Sequence, residues 1–297
     1  MSLEITVAET PKERREYLTF QWEVYRGDPY WVPPLLSERE AFLDRAVHPF
    51  HKHAEVRYFI ARRDGKPVGT ITGIINHAHN AFWEDKVGFF GLFECFNDPE
   101  AAHALLTAAE DFVRSHGMTA IRGPFNFSTN EECGLLVDGW NGTPVVMMTY
   151  NPRYYVDLIE GAGYTTAMNM WAYDVDLTRY GRDGSGLDPK LLRVAEKVRE
   201  RNNFTIRKGD PKHMDREMEA FKQVYNNAWA KNWGFVPMTD EEIAFVGKNL
   251  LQLLDFETVF FVEKDGQPVA FMLPIPDVNQ ALHKAYPRPE TPEWWTL

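Results

Sequence analysis

Cysteine is nearly absent: Cys95 and Cys133 are the only two in 297 residues. Two thiols cannot build a disulfide framework, which sets aside the small secreted scaffolds and favours a reducing compartment. Positive charge is scarce as well. Lys and Arg number 32 against 43 Asp and Glu, a net charge of −11. That balance argues against nucleic acid or an anionic membrane surface as a partner, though it leaves room for a local basic pocket. No apolar run approaches the ~20 residues that a membrane-spanning helix needs. The opening Met1 to Val7 has neither the basic start nor the apolar core of a signal peptide. These absences point to a cytoplasmic protein.

What is present is the balance of a globular chain, 44% hydrophobic and 25% charged, long enough for two ordinary domains. The organising stretch is Tyr58 to Asn76, two β-rich runs around Asp64-Gly65, a dipeptide that supplies the positive φ angles of a tight hairpin turn. The same construction returns at Val259 to Leu273 around Asp265-Gly266. A hairpin that returns in matching surroundings implies one fold present twice.

Ahead of the first hairpin, Leu3 to Ala8 alternates as a strand and Thr10-Pro11 starts a helix that ends near Gly27. A short helix is expected over Glu38 to Asp44. Behind the hairpin, Val87 to Phe96 has the apolar length of a central strand buried on both faces. Asp98-Pro99 then opens a helix whose Ala102, Leu105, Leu106, Ala109, Phe112 and Val113 share one face, and Gly117 stops it. Met118 to Ile121, Pro144 to Thr149 and Met168 to Val175 read as further strands, with a polar loop over Phe125 to Asn141 and a helix after Asn151-Pro152. The glycine-rich stretch Thr178 to Leu187 is the best boundary. The expected division is a first domain over 1–178, a linker and connecting helix over 179–202, and the front of a second copy over 203–297. After Leu273 prolines crowd the tail, so the second copy reads as cut short, its missing strand, turn and helix expected downstream of Leu297.

This order resembles the GNAT superfamily of acyl-CoA-dependent N-acyltransferases. The resemblance rests on the hairpin Asp64-Gly65-Lys66-Pro67-Val68-Gly69, on the strand–helix unit Val87 to Gly117, and on Asn151-Pro152-Arg153 through Gly163-Tyr164. It implies an α/β fold (α+β), with a mixed central sheet flanked by helices, in tandem, and the second copy truncated. It also implies transfer of an acetyl or other acyl group from acetyl-CoA or another acyl-CoA to a small-molecule amine, with no metal. By that resemblance the pantetheine arm pairs along the long strand at Phe93 and Cys95. The diphosphate meets the following turn at Asn97, Asp98 and Ala101, and Asn151 completes the cofactor contacts. The turn departs from the family's Arg/Gln-x-x-Gly-x-Gly/Ala, because its glycines and basic residue are absent and Pro99 removes a donor. Glu94 stands where some members carry a general base; the plainer alternative is a strand glutamate paired on the surface. The family's tyrosine acid would fall at Ile159, with Tyr154 and Tyr155 out of register.

Other residues carry competing readings. His48, His51, His53, His77 and His79 invite a metal, but no Cys or acidic spacing completes a signature, and loop histidines explain them better. Cys95 and Cys133 lack an identifiable base and read as structural thiols. Asn126, Ser128 and Asn130 line a polar pocket or bond their own turns. Tyr30, Trp31, Phe82, Trp83, Trp229 and Trp233 border a substrate groove or pack a core. Two functions compete: an acyltransferase, and a non-catalytic packing or ligand-sensing module that supports an active second copy.

Overall fold

The structure, a computed structural model, describes residues 2–181, 183–251 and 253–296. It forms two compact units. The first comprises residues 1–167, 231–237 and 277–297, and the second comprises 168–230 and 238–276.

In the first unit, strand β1 (Leu3–Val7) leads into helix α1 (Pro11–Thr19). A capping box starts that helix: the Glu13 amide donates to Thr10 Oγ1 at 3.2 Å, and the Thr10 amide donates to Glu13 Oε2 at 2.8 Å. Helices α2 (Gln21–Val24) and α3 (Leu36–Leu43) precede the hairpin of β2 (Ala54–Arg63) and β3 (Lys66–Asn76). Asp64 at φ +49° and Gly65 at φ +78° make its turn, as the sequence implies. Helix α4 (His77–Trp83) follows, so His77 and His79 lie on a helix and not in a loop. The long strand is β4 (Val87–Cys95), and α5 (Pro99–Ser115) carries the chain over to β5 (Ala120–Arg122). The sheet order is β1-β2-β3-β4-β5, antiparallel throughout except for the parallel β4–β5 pair.

Apolar layers cover both faces. Phe59, Ala61, Ile71, Phe90 and Cys95 pack under α5 and α6 (Tyr154–Gly161), whereas Tyr58, Ile60, Ile74 and Phe89 pack against Tyr17 and Leu18 of α1. The six expected inward residues of α5 are all buried. This is a mixed α/β sheet flanked by helices, the class of fold expected above.

β4 does not run straight. Thr72 of β3 pairs with Gly91 but Thr70 pairs with Glu94, so two steps on β3 oppose three on β4. The extra residue makes a bulge at Leu92, whose φ is +45°. Before the bulge, Phe90 lies in the α5 layer and Phe89 in the α1 layer; after it, Phe93 and Cys95 lie in the α5 layer. Glu94 is thereby turned to the α1 side. The chain after β5 closes on the same spot, with the Phe125 amide donating to Phe90 O at 2.7 Å.

Two expected strands are not formed. Over Pro144 to Thr149 the Val146 amide donates to Asp277 Oδ1 (3.0 Å), Met148 bonds back to Val145, and Met147 takes φ +66°. Backbone groups spent on a turn are lost to a ladder. Met168 to Val175 alternates as a strand should, yet no strand among the described residues pairs with it, and Trp171 and Tyr173 are exposed. The units also divide differently from the expected 1–178, 179–202 and 203–297. The tail belongs to the first unit, held there by Trp22 Nε1 on Pro287 O (2.8 Å) and by Ser37 on Glu293.

The second unit begins with helix α7 (Pro189–Asn202), read as a connecting helix. Strand β6 (Phe204–Lys208), helices α8 (Met214–Ala228) and α9 (Asp240–Leu250), and strands β7 (Phe260–Lys264) and β8 (Gln267–Met272) follow. They build a three-stranded antiparallel sheet in the order β6-β7-β8. Asp265 and Gly266 take φ +52° and +77°, nearly the angles of the first hairpin, and each hairpin shifts register between the second and third pairs from its turn, at Ala61/Arg62 and at Val262/Glu263. No counterpart of β4 and α5 follows β8 among the described residues of this unit.

Gly91 is where this packing is least forgiving, because a Cβ there would lie 1.6 Å from Phe125 O. Gly91→Ala is expected to lower the unfolding free energy by at least about 2 kcal/mol in denaturant titration, and a loss under ~0.5 kcal/mol would show that the 123–127 segment yields freely.

Candidate active site

The bulge assembles the site. Leu92 at positive φ is costly for a branched side chain and persists only when its surroundings fix it. Its amide donates to Asn126 Oδ1 at 2.9 Å, and its carbonyl accepts from the Tyr17 hydroxyl at 3.2 Å. Tyr17 also shares a 2.6 Å hydrogen bond with Thr72 Oγ1.

Glu94, two residues on, is partly buried and meets two tyrosines. Tyr155, from the first turn of α6, donates to Glu94 Oε2 at 2.7 Å. Tyr25, at the end of α2, also hydrogen-bonds to this carboxylate, and its ring stacks on Trp31 at 4.9 Å. Burial pushes the Glu94 carboxyl up to about 7; the Tyr155 and Tyr25 hydrogen bonds and then the charge of Arg39 oppose that rise, and Glu132 adds to it. Glu132 accepts from Asn126 Nδ2 (3.2 Å) and pairs with Arg39 of α3 at 3.5 Å. Burial, with the nearby Glu94, raises both tyrosines well above their ordinary range, so they stay protonated donors. The arrangement is a carboxylate poised to take a proton near neutrality.

The expected cofactor residues lie beside it but are already engaged. β5 pairs with β4 only through Val87, Gly88 and Phe89, which leaves the far half of that edge open. There the Cys95 amide donates to the Tyr155 hydroxyl and Cys95 O accepts from Tyr154, each at 2.8 Å. Phe93 is buried against the Tyr155 ring. At the start of α5 the Ala101 amide donates to Asp98 Oδ1 (3.1 Å), while Arg63 holds Asp98 at 2.7 Å and Glu100 at 2.8 Å. Asn97 is exposed between them. At this turn the Ala101 amide is taken by Asp98 and the Arg63 charge by Asp98 and Glu100, so a diphosphate does not fit there. Asn151 spends its amide on both polar groups of Leu136 and orders the loop ahead of α6.

Ile159 is a buried residue of the α5–α6 core, and the tyrosines that reach β4 are the pair four and five positions earlier. Tyr25, Arg39 and Glu132 gave no signal of their own in the sequence. Of Asn126, Ser128 and Asn130, open between a polar pocket and their own turns, Asn126 holds the bulge, while the Asn130 amide bonds to Ser128 Oγ within its turn. Of the histidines, His48 and His51 pack edge-on against Phe127, and no group of three potential ligands forms a metal site among the described residues. Both cysteines are free thiols. Trp31 is buried, and Trp83 donates to Phe235 O.

No protein-family model matches the sequence. The chain is 34% identical over 281 residues to the bacterial ceramide synthase of Caulobacter vibrioides, covering 94% of this chain and 71% of that protein. It is 32% identical over 271 residues to protein YghO of Escherichia coli, covering 90% and 67%. The chain belongs to the family of these two proteins. Among solved structures, the aminoglycoside acetyltransferase AAC(6')-Iy, in complex with a CoA-containing bisubstrate analogue, matches 59% of this chain and 99% of its own at 14% identity and a TM-score of 0.36. A fungal GCN5-related glucosamine N-acetyltransferase region matches 92% of this chain at 12% identity, with a TM-score of 0.44. No described helix is long and apolar enough to cross a membrane.

The raised Glu94 carboxyl has a consequence for stability. Between its ordinary 4.5 and about 7 the folded chain holds a proton that the unfolded chain releases, so stability falls as pH rises across that window and levels above it. Glu94→Gln cannot ionise. The variant is expected to gain up to roughly 3 kcal/mol relative to the parent between pH 4.5 and 8, read as parallel denaturant titrations; a pH-independent difference would place the carboxyl at its ordinary value.

Proposed function

We propose that this chain is an N-acyltransferase that moves an acyl group from a thioester donor to an amine, with Glu94 as general base. The observation that carries the proposal is the Glu94 carboxylate, held by Tyr155 and Tyr25 at a strand bulge and raised to about 7. A base with that value has a large unprotonated fraction at neutral pH and remains basic enough to accept a proton from an attacking amine. The amine proton passes to Glu94, the C–N bond forms at the thioester carbonyl, and the C–S bond breaks. The thiolate leaves with the bonding pair and is protonated by solvent.

The family supports this chemistry. One relative is named a ceramide synthase, and ceramide is an amide of a long-chain amine, so a long-chain amine is the acceptor we propose. Acyl-CoA is the proposed donor, bound without the diphosphate seat usual at the helix after β4. The self-capped turn at Asp98 favours the competing non-catalytic module, which predicts no transfer at all.

Turnover of acyl-CoA with a long-chain amine, followed by thiol release, tests the reading. Glu94→Gln is expected to lower kcat/KM by about 100-fold or more, and the parent's rate should rise with pH to a plateau above about 7. Tyr155→Phe removes a hydrogen bond that favours the charged carboxylate, so its plateau should begin at higher pH. Glu94→Gln with undiminished turnover would remove Glu94 from the mechanism.

The engaged turn makes a separate prediction about the donor. An acyl-pantetheine thioester, which lacks the nucleotide and diphosphate, should keep kcat/KM within about tenfold of acyl-CoA. A far larger loss would show that the diphosphate is bound by groups other than the first turn of α5.

A further inference from the structure

The second unit contains a hollow that the proposed chemistry does not use. It lies between α8, α9 and the β7–β8 hairpin, a cavity of about 50 Å³ that opens to solvent. Met218 and Phe221 of α8, Ile243, Val246 and Leu250 of α9, and Phe271 of β8 form much of its wall. The one ionisable residue on the wall, Glu217, has its carboxylate committed to Arg207 at 2.7 Å and to Arg216 at 2.5 Å. The hollow therefore offers a ligand no free charge, and a polar group placed in it would lose its water without compensation.

Its shape follows from the helices. The lining residues of α8 run from Met214 to Phe221, and those of α9 from Ile243 to Leu250. Each set spans seven steps at 1.5 Å, so the hollow extends about 10 Å along both helices. Protein interiors close-pack and seldom leave voids larger than a water molecule, so a small unit that keeps an open apolar slot is suited to an occupant. The wall is also adjustable. Met214 and Met218 are unbranched and can move aside, and the end of Met218 fills the space over Gly247, where a Cβ would lie 2.5 Å from its methyl carbon.

We propose that this slot binds a single unbranched aliphatic chain, with the polar end of the ligand at the open mouth. Its assignment to the acyl chain or to the tail of a long-chain amine rests on the acyltransferase reading; the binding itself does not.

Isothermal titration of the full chain with dodecanoate, kept below its micelle concentration, tests the slot. The parent chain is expected to bind it, and hexanoate at least tenfold more weakly. Val246→Trp fills the slot and should weaken dodecanoate binding at least tenfold while its thermal midpoint is kept or raised. If that variant fails to fold, amide hydrogen exchange on the parent decides instead, with dodecanoate expected to protect residues 214–221 and 243–250. No binding by the parent, equal binding by a folded Val246→Trp, or protection confined to other segments would each overturn the proposal. Glu94→Gln separates the two readings: dodecanoate binding retained with transfer lost supports both. Binding retained with transfer intact removes the mechanism but keeps the slot, and transfer by a parent that binds no dodecanoate removes the slot alone.

Discussion

The first unit depends on one extra residue in β4. Side chains along a strand alternate between faces, so a single insertion exchanges the faces of everything beyond it. Without the bulge at Leu92, Glu94 would point under α5, into the layer that holds Phe90, Cys95 and Leu105. With it, Glu94 faces the α1 side, where Tyr25 meets its carboxylate. The positive φ of Leu92 stores strain that two polar contacts offset, one from the Asn126 side chain and one from the Tyr17 hydroxyl. Gly91 belongs to the same device, since only a residue without a Cβ lets the carbonyl of Phe125 approach so closely. Two separate segments, α1 through Tyr17 and the chain at Phe125 and Asn126, thus converge on one backbone angle.

The open edge of β4 tells a related story. A strand whose neighbour diverges leaves unpaired amides and carbonyls, and buried ones must find partners. Tyr154 and Tyr155 meet that need at Cys95, and Tyr155 also donates to Glu94. One hydroxyl therefore satisfies the backbone and tunes the carboxylate together. At the helix that follows, Asp98 and Arg63 satisfy the first turn from within the chain. Both places where the resemblance puts a cofactor are closed by the protein's own groups, which is why the proposed donor is defined by its thioester and not by its nucleotide.

Much of this architecture could be read from the residues. The Asp-Gly hairpins, the inward face of α5 and the apolar run of β4 are local patterns, and local patterns survive folding. Glu94 was legible as a residue on that strand. Its setting was not, because a bulge has no local signature here: Leu92 is an ordinary strand residue, and the groups that force its angle lie 34 positions downstream at Asn126 and 75 upstream at Tyr17. Tyr25, Arg39 and Glu132 were missed for the same reason, since each reaches Glu94 only through tertiary structure. The two strands wrongly expected, Pro144 to Thr149 and Met168 to Val175, show the converse. Alternation gives a segment the option of pairing, but a partner edge has to be there.

The second unit makes that last point quantitatively. Its β6-β7-β8 sheet repeats the order and turn angles of β1-β2-β3. On the hairpin, Met272 stands five positions beyond the strand start at Gln267, as Ile71 stands five beyond Lys66. Ile71 is 0% exposed and Met272 is 61% exposed. Both are large and apolar, so the difference does not lie in the residue. Ile71 is covered because α5 lies against β3, whereas α8 packs on the Phe271 face of β8 and no described helix covers the face of Met272. The burial of a sheet face is a property of what packs on it, and a matching strand order and turn carry the pattern of a core without the core itself.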